Sequence, residues 1–203
     1  DQTLMGDIPE FVTSVFGMTF AMITPAIVVG GYAERMKFSA MVLFVVLWTT
    51  LVYAPMAHMV WGGPGAAMHN WGVLDFAGGT AVHINAGIAA LVGALIIGKR
   101  KDWKTQSIAP HNLVYTFIGA GLLWAGWFGF NVGSALAANN SAGLILMNTQ
   151  VAACAGIVGW MIVEKFLDTH ISSLGLASGA IAGLVGITPV SYTHLTLPTS
   201  DLV

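Results

Sequence analysis

Charged side chains are scarce in this chain: Asp, Glu, Lys and Arg together make up 8% of its 203 residues. A soluble globular protein typically carries about 25% charged residues, which cover its water-facing surface. So few charges exclude an ordinary soluble domain, and the 56% of residues that are hydrophobic favour a location within a lipid bilayer. The sequence therefore predicts an all-α integral membrane protein, because a helix satisfies its own backbone hydrogen bonds in lipid.

Cysteine and clustered ionisable residues are also scarce, which excludes several chemistries. Cys154 is the only cysteine, so an intrachain disulfide and a thiolate metal site are excluded. The six histidines show no ligand spacing, so we expect no metal. The sequence contains no phosphate-binding loop and no nucleophile–base arrangement, so we expect neither an enzyme nor a cofactor. A net charge of −2 gives no reason to expect nucleic-acid binding.

Long apolar runs occupy most of the chain. Six of them approach the roughly 20 residues that a helix needs to cross a bilayer. The predicted segments lie at about Ile8–Gly31, Phe38–Trp61, Phe76–Gly98, Leu113–Leu136, Gly143–Phe166 and Leu174–Val190. The chain opens at Asp1 without Met and enters the first segment almost at once, which predicts an internal piece of a longer protein.

The basic residues all fall on one side of the predicted topology, after the first, third or fifth segment. They are Arg35, Lys37, Lys99, Arg100, Lys101, Lys104 and Lys165. Loops rich in Lys and Arg face the cytoplasm in most membrane proteins. We therefore predict a multi-pass protein of the plasma membrane with cytoplasmic basic loops, in which the third segment runs inward from Asp75.

The third segment places a titratable side chain in an otherwise uncharged apolar run, DFAGGTAVHINAGIAALVGALIIG. On an ideal helix His83 would lie about 12 Å beyond Asp75 and roughly 80° around the axis. The many glycines and alanines of the run permit close helix packing. Because an ionisable residue at bilayer depth usually marks a functional site, the segment predicts a polar pathway through a packed helical bundle.

Each candidate residue also has a purely structural interpretation. His83 is either a group that passes a proton or holds a small polar solute, or a buried neutral imidazole bonded to a neighbouring helix. Asp75 is either a carboxylate at the mouth of a cation path or the cap of its helix. Trp61 is either a cation–π contact or an interfacial tryptophan. For Ser134 the residues alone suggest a hydrogen bond to its own helix backbone.

Several stretches match, in order, the motifs of one family. They include VFGMTFAMI, AERMKFSAMVLFVVLW, YAPMAHMVWGG, DFAGGTAVHINAGIAALVGALIIGKR, PHNLVYTFIGAGLLWAGWFGFNVGSA and SGAIAGLVGITP. Together they resemble the ammonium transporter (Amt/Mep/Rh) family, on its Amt branch, over about residues 8 to 190. The resemblance implies an eleven-helix protein built from two inverted five-helix repeats, with about the third to eighth helices in this chain. It also implies a homotrimer with one pore per subunit.

The resemblance implies a site that recruits the ammonium ion at the external face. Trp61 matches the tryptophan that contacts the ion by its ring, and Phe20 matches an aromatic residue that lines the same place. Ser134 matches the hydroxyl that binds the recruited ion. Asp75 matches an aspartate near the entrance that serves ion recruitment or pore structure.

The resemblance also implies a gate and a pore beyond that site. Phe20 and Phe130 match the two rings of the gate, and Trp127 matches a pore-lining aromatic residue. His83 matches the first of two pore histidines, and the second belongs to a later helix that this sequence does not contain. Ammonium or ammonia would therefore be recruited outside, deprotonated, and conducted through a hydrophobic pore.

Two alternatives to transport remain at this stage, and one partner follows from the resemblance. The chain is either the body of an ammonium sensor or a piece without function of its own. In relatives, a PII-type regulator docks on a C-terminal tail that lies beyond this sequence. We assign residues 1–190 to the transmembrane domain and 191–203 to a non-family tail at a truncation or assembly junction, because SYTHLTLPTSDLV is polar and rich in Thr and Ser.

Overall fold

The structure, a computed structural model, describes residues 3–5, 7–107, 109–167 and 170–193. The chain divides into two compact units, Asp1–His111 and Asn112–Val203. We call them the N-terminal unit and the C-terminal unit. Most of the predicted non-family tail, from residue 194 onward, lies outside the described residues.

The N-terminal unit is helical apart from one short antiparallel strand pair at its start. Two of its helical runs contain a π-helical segment. In chain order the elements are β1 (Leu4–Met5), β2 (Ile8–Pro9), α1 (Glu10–Val28) with a 3-10 turn (Val29–Gly31), α2 (Phe38–Trp48), a π-helical segment (Thr49–Tyr53), α3 (Ala54–Trp61), α4 (Ala67–Asn70), a second π-helical segment (Gly79–Ile84) and α5 (Asn85–Ile97).

The C-terminal unit consists of three long helices. They are α6 (Leu113–Gly133), α7 (Asn140–Leu167) and α8 (Ser173–Ile187), the last followed by a 3-10 turn (Thr188–Val190). Two of them begin at a polar cap: the Asn112 side chain accepts from the Tyr115 amide at 3.0 Å, and Ser172 from the Gly175 amide at 2.9 Å. Such caps satisfy amides that have no partner inside the helix.

Six continuous helical runs in the described part of the chain are long and apolar enough to cross a bilayer. They are Glu10–Gly31, Phe38–Trp61, Gly79–Ile97, Leu113–Gly133, Asn140–Leu167 and Ser173–Val190. Their large apolar side chains are widely exposed; along α2, for example, only Trp48 is buried. Helices that are apolar on all sides suit a lipid environment. The predicted all-α, multi-pass membrane fold is confirmed, and the six segments are correct to within a few residues.

The start of the third span differs from the predicted ideal helix. The helical run begins at Gly79 rather than at about Phe76, and its first six residues are π-helical. The chain enters it through Gly78 in a left-handed conformation, with φ of 108°. A π-helix has more residues per turn than an α-helix, so the ideal-helix geometry assumed between Asp75 and His83 does not apply here.

Glycine allows helix backbones to touch within the C-terminal unit. A Cβ at Gly183 would lie 2.8 Å from the carbonyl carbon of Ala152, and one at Gly179 would lie 2.7 Å from the carbonyl oxygen of Gly156. Helices α7 and α8 therefore pack with their backbones in contact, as small residues permit in membranes. In the N-terminal unit, Gly31 lies equally close to Ala90, one of the small residues predicted to pack tightly around His83.

Candidate functional site

Three aromatic rings form a cluster in the N-terminal unit. The ring centroids of Phe16 and Phe20 are 4.8 Å apart, and those of Phe20 and Trp61 are 5.6 Å apart, both edge to face. Edge-to-face pairs are a favourable arrangement for aromatic side chains. Phe20 is 5% exposed whereas Trp61 is 40% exposed, so the cluster offers an accessible indole supported by a buried ring. An indole face is the best aromatic partner for a cation.

The Asp75 carboxylate caps the π-helical segment. Its Oδ1 accepts from the amides of Gly78 and Gly79 at 2.8 and 2.6 Å, and its Oδ2 from those of Thr80 and Ala81 at 2.8 and 2.9 Å. A carboxylate has about four lone-pair acceptor sites, and four amides occupy them. This buried carboxylate therefore holds the backbone and has no acceptor site left for direct coordination of a cation.

Asp75 also fixes the indole of the aromatic cluster. The Nε1–H of Trp61 donates to the backbone carbonyl of Asp75 at 2.8 Å. The same residue thus uses its carboxylate to hold the start of the third span and its carbonyl to orient Trp61 at the end of α3. Asp75 positions both parts of the predicted site in the N-terminal unit, a role that follows from neither sequence interpretation alone.

His83 is buried within the segment that Asp75 caps. Its side chain is 8% exposed, between Val82, which is fully buried, and Ile84, which is exposed. Its amide donates to the Gly78 carbonyl at 3.1 Å. Asn85, two residues later, donates from its side chain to the Ala81 carbonyl at 3.3 Å, a bond within its own helical run. The structure therefore places one buried imidazole directly after the Asp75 cap.

The predicted residues of the C-terminal unit lie along α6. The ring centroids of Trp127 and Phe130 are 5.5 Å apart. The Trp127 indole donates to Thr188 Oγ at 2.9 Å, and Thr188 in turn donates to the Leu184 carbonyl at 2.7 Å. Trp127 also packs with Ala153 and Leu184 in the hydrophobic core of this unit. Its ring is thus held by both apolar packing and one directed hydrogen bond.

Ser134 directly follows the last residue of α6. Its hydroxyl donates to the Phe130 carbonyl at 2.8 Å, which is the structural interpretation given above. That bond uses the hydroxyl hydrogen, so Ser134 presents its oxygen as an acceptor. An acceptor is what an ammonium ion, which carries only N–H donors, requires of a ligand.

A second set of buried polar side chains in the C-terminal unit escaped the sequence analysis. The Asn131 amide donates to Thr149 Oγ at 3.1 Å, and the Asn148 amide donates to the carbonyls of Ser191 and Thr193 at 2.9 and 2.7 Å. Asn131 Oδ1 has no partner within the described residues. These residues lie inside or beside apolar spans but are not ionisable, so the rule applied to His83 did not select them; extended to neutral polar residues, it would have done so.

Comparison with protein-family models identifies the chain. Residues 1–196 match the model of the Ammonium Transporter Family. The chain belongs to this family. The match covers the aromatic cluster, Asp75, His83 and the α6 residues described above, as well as the first residues of the predicted tail.

Individual proteins are similar to this chain over most of its length. The ammonium transporter of Bacillus subtilis is 54% identical over 184 residues, which cover 91% of this chain and 45% of that protein. The crystal structure of Candida albicans Mep2 superposes with a TM-score of 0.83 at 38% identity, covering 91% of this chain and 41% of that one. A solved structure titled Sensor Amt Protein gives a TM-score of 0.79 at 32% identity, covering 87% and 46%. The chain therefore spans less than half the length of these relatives.

Proposed function

We propose that this chain forms part of a transporter that carries ammonium or ammonia across the plasma membrane. The observation that carries the proposal is the link, through Asp75, between an accessible indole and a buried imidazole in a member of this family. An intact ammonium ion is costly to bury in hydrocarbon. An aromatic face offsets part of its lost hydration, and deprotonation yields neutral ammonia, which an apolar passage admits.

For recruitment of the ion we propose Trp61 and Phe20 in the N-terminal unit and, from the family resemblance, Ser134 in the C-terminal unit. Trp61 meets the ion with its partly exposed ring, Phe20 supports that ring edge to face, and Ser134 accepts an N–H bond. Asp75 acts on the ion through its field and through the orientation of Trp61, because its carboxylate oxygens are already occupied by four amides.

From the family resemblance we propose a gate role for the Phe20 ring of the N-terminal unit and for the Phe130 ring of the C-terminal unit, and a pore-lining role for Trp127. His83 acts as the first histidine of a pair, whose second member comes from the rest of the longer protein. A neutral imidazole has one donor and one acceptor nitrogen, so it can hold ammonia or pass a proton. For the intact protein we also propose a homotrimer, cytoplasmic basic loops, and a PII-type regulator on a C-terminal tail.

Replacing His83 in the full-length protein tests this mechanism. We expect His83→Ala to lower ammonium-dependent current in proteoliposomes by about tenfold or more, or to change ion selectivity, because proton handling by a positioned group typically contributes at least that much. His69→Ala removes an exposed histidine of the same unit and serves as the matched control. An unchanged rate and selectivity in His83→Ala would remove His83 from the mechanism.

The likeness to the solved sensor Amt protein supports a second candidate function. A sensor would bind ammonium in the same body and signal through an attached domain. The discriminating measurement is ammonium flux through the full-length protein in proteoliposomes. A sensor would bind ammonium without transporting it and would carry a signalling domain after its last helix.

We expect residues 1–203 alone to fail in transport. Without the other helices of the longer protein, polar and small-residue helix faces would have no packing partner. The measurement is growth of a transport-deficient microbe on low ammonium. Expression of the full-length protein is the positive control. Growth with residues 1–203 equal to that control would refute the expectation.

A further inference from the structure

The Phe20 ring has no polar atom with which to fix its own position. Its neighbour in the aromatic cluster, Trp61, is held by the hydrogen bond from its indole to the Asp75 carbonyl. A phenyl ring depends instead on packing and on the backbone that carries it, because the backbone decides which side-chain rotamers are allowed. The groups that fix the backbone of α1 at Phe20 therefore decide how this buried ring lies against the indole.

A buried hydroxyl bonds the backbone of α1 at this place. Thr24 lies one turn after Phe20, is fully buried, and donates from its hydroxyl to the Phe20 carbonyl at 2.5 Å. A threonine that bonds back to the carbonyl four residues earlier often bends its helix. Pro25 follows directly inside α1, and a proline has no amide to donate to the Ala21 carbonyl. The backbone after Phe20 thus lacks one regular helix bond and gains one side-chain bond.

The second span reaches the same hydroxyl. The side chain of Tyr53, which is also buried, forms a hydrogen bond with that of Thr24. Because the hydroxyl hydrogen of Thr24 is already used on the Phe20 carbonyl, its oxygen is the acceptor and the Tyr53 hydroxyl is the donor. Tyr53 is the last residue of the π-helical segment Thr49–Tyr53, and π-helical segments are frequent at functional sites. Two hydroxyls in series thus join the second span to the backbone of Phe20.

The first and second spans are therefore joined at two levels. The Phe20 and Trp61 rings meet at one level, with centroids 5.6 Å apart, and the Thr24 and Tyr53 hydroxyls meet at the other. Trp61 and Tyr53 belong to one helical run, and Phe20 and Thr24 belong to the other. The hydroxyl contact thus holds the α1 side of the ring contact, as the Asp75 carbonyl holds the Trp61 side.

We propose that Thr24 is a positioning residue for the Phe20 ring, and that the Tyr53 hydroxyl holds Thr24 in place. Through these two hydroxyls the second span sets how the Phe20 ring lies against Trp61, and with it how tightly the aromatic cluster holds an ammonium ion. This inference rests on the proposed role of the cluster in recruiting the ion. It requires no contact between either hydroxyl and the ion.

The first test measures ammonium-dependent current of the full-length protein in proteoliposomes. Thr24→Val removes the hydroxyl and nearly keeps the side-chain shape. We expect the ammonium concentration for half-maximal current to rise about two- to tenfold, the range that follows from the loss of one neutral hydrogen bond. The maximal current should change less, because the substitution leaves His83 in place.

Two further variants separate the hydroxyl from the rest of the side chain. Tyr53→Phe should shift the half-maximal concentration in the same direction but by less, because Thr24 still bonds the Phe20 carbonyl. Thr24→Ser keeps the hydroxyl and should restore the value of the unmodified protein, which also shows that the position tolerates substitution.

Thr50→Val is the matched control for Thr24→Val. Thr50 also donates from its hydroxyl to the carbonyl four residues earlier, that of Val46 at 2.9 Å, but its side chain is exposed. We expect Thr50→Val to leave the half-maximal concentration unchanged.

The second test reports on the position of the rings through the fluorescence of Trp61. Thr24→Val should change the emission, and the change should vanish in a Trp61→Phe background, which shows that it comes from this indole. It should also vanish in a Phe20→Leu background, because Thr24 acts through the Phe20 ring and coupled residues are not additive. A merely structural role of Thr24 would lower the unfolding temperature without this dependence on Phe20.

Three results would overturn the proposal. They are an unchanged half-maximal concentration in Thr24→Val, an equal shift in Thr50→Val, and an emission change in Thr24→Val that persists in the Phe20→Leu background. An unmodified full-length protein that carries no ammonium current would contradict the proposed function instead, and the emission measurements would still decide whether Thr24 positions Phe20.

Discussion

The two units of this chain hold their helices together by different means. In the N-terminal unit a single charged residue, Asp75, bonds to four amides at the start of one span and to the indole at the end of another. In the C-terminal unit the helices meet through glycine contacts at Gly179 and Gly183 and through neutral hydrogen bonds such as Trp127 to Thr188.

The difference shows what an apolar environment tolerates. A buried carboxylate is acceptable only when its oxygens are satisfied, and the four amides on Asp75 meet that condition. A buried neutral amide that lacks one hydrogen bond costs less free energy than a buried carboxylate that lacks its partners. The Asn131 nitrogen has one hydrogen bond, and its oxygen has none within the described residues. Losing the charged cap should therefore cost more than losing any one neutral link.

The largest effect is expected from Asp75→Ala in the full-length protein. The substitution leaves four amides without their acceptor, and it keeps the backbone carbonyl that accepts from the Trp61 indole but removes the side chain that fixes its position. At about 1 kcal/mol or more for each unsatisfied amide, we expect the loss to exceed about 3 kcal/mol. The measurement is the folded yield and thermal unfolding of the purified protein in detergent, together with ammonium flux.

Asp75→Asn is the control that separates bonding from charge. It keeps one carbonyl oxygen for two of the amides but turns an NH₂ donor towards the other two, so we expect stability and flux between those of the Ala variant and the unmodified protein. If Asp75→Ala unfolds as the unmodified protein does, the contrast between the two units is wrong, and the cap does not organise the N-terminal unit.

The membrane spans were predictable because bilayer thickness sets their length and hydropathy sets their position in the sequence. The segment proposed at Phe38–Trp61 coincides with the observed span. The π-helical start at Gly79 was not predictable, because apolar composition carries no information on which carbonyl each amide selects. The carbonyl to which each amide donates depends on the Asp75 carboxylate, which accepts from four successive amides at the start of the span. Regular α-helical hydrogen bonding begins after the π-helical segment.

The site was only partly predictable for a similar reason. The sequence identified Trp61, Asp75 and His83 as separate candidates, because each is an unusual residue at its position in the predicted topology. It did not identify the bond from Trp61 to the Asp75 carbonyl, because that contact depends on how the connection between the end of α3 and the third span folds back. Asn131 and Thr149 were missed because they are neutral, although they also lie in apolar spans.

The second-largest effect is expected from a substitution at a glycine contact of the C-terminal unit. Gly183→Ala places a Cβ 2.8 Å from the carbonyl carbon of Ala152 and 3.2 Å from Ala153 Cα, so α7 and α8 must separate. Overpacking of this kind costs about 1–3 kcal/mol. We expect a lower unfolding temperature for the full-length protein in detergent, with a smaller loss than that of Asp75→Ala.

Gly186→Ala on the same helix is the matched control. A Cβ there meets nothing within 4 Å, and alanine favours a helix over glycine by about 1 kcal/mol, so its unfolding temperature should stay the same or rise. Equal destabilisation by both substitutions would show that general helix propensity, and not backbone contact, governs this unit.

The smallest effect is expected from Thr188→Val, which removes the hydroxyl that accepts from the Trp127 indole while nearly keeping the side-chain shape. Loss of one neutral hydrogen bond costs about 1 kcal/mol. Thr149→Val removes the acceptor of Asn131 in the same unit and should cost a similar amount.

We measure both by unfolding of the full-length protein and by Trp127 fluorescence, with Trp127→Phe to isolate that signal. We expect only Thr188→Val to change the emission of Trp127. A loss as large as that of Asp75→Ala from either threonine would mean that neutral links and the charged cap carry equal weight, and the two units would then not differ in kind.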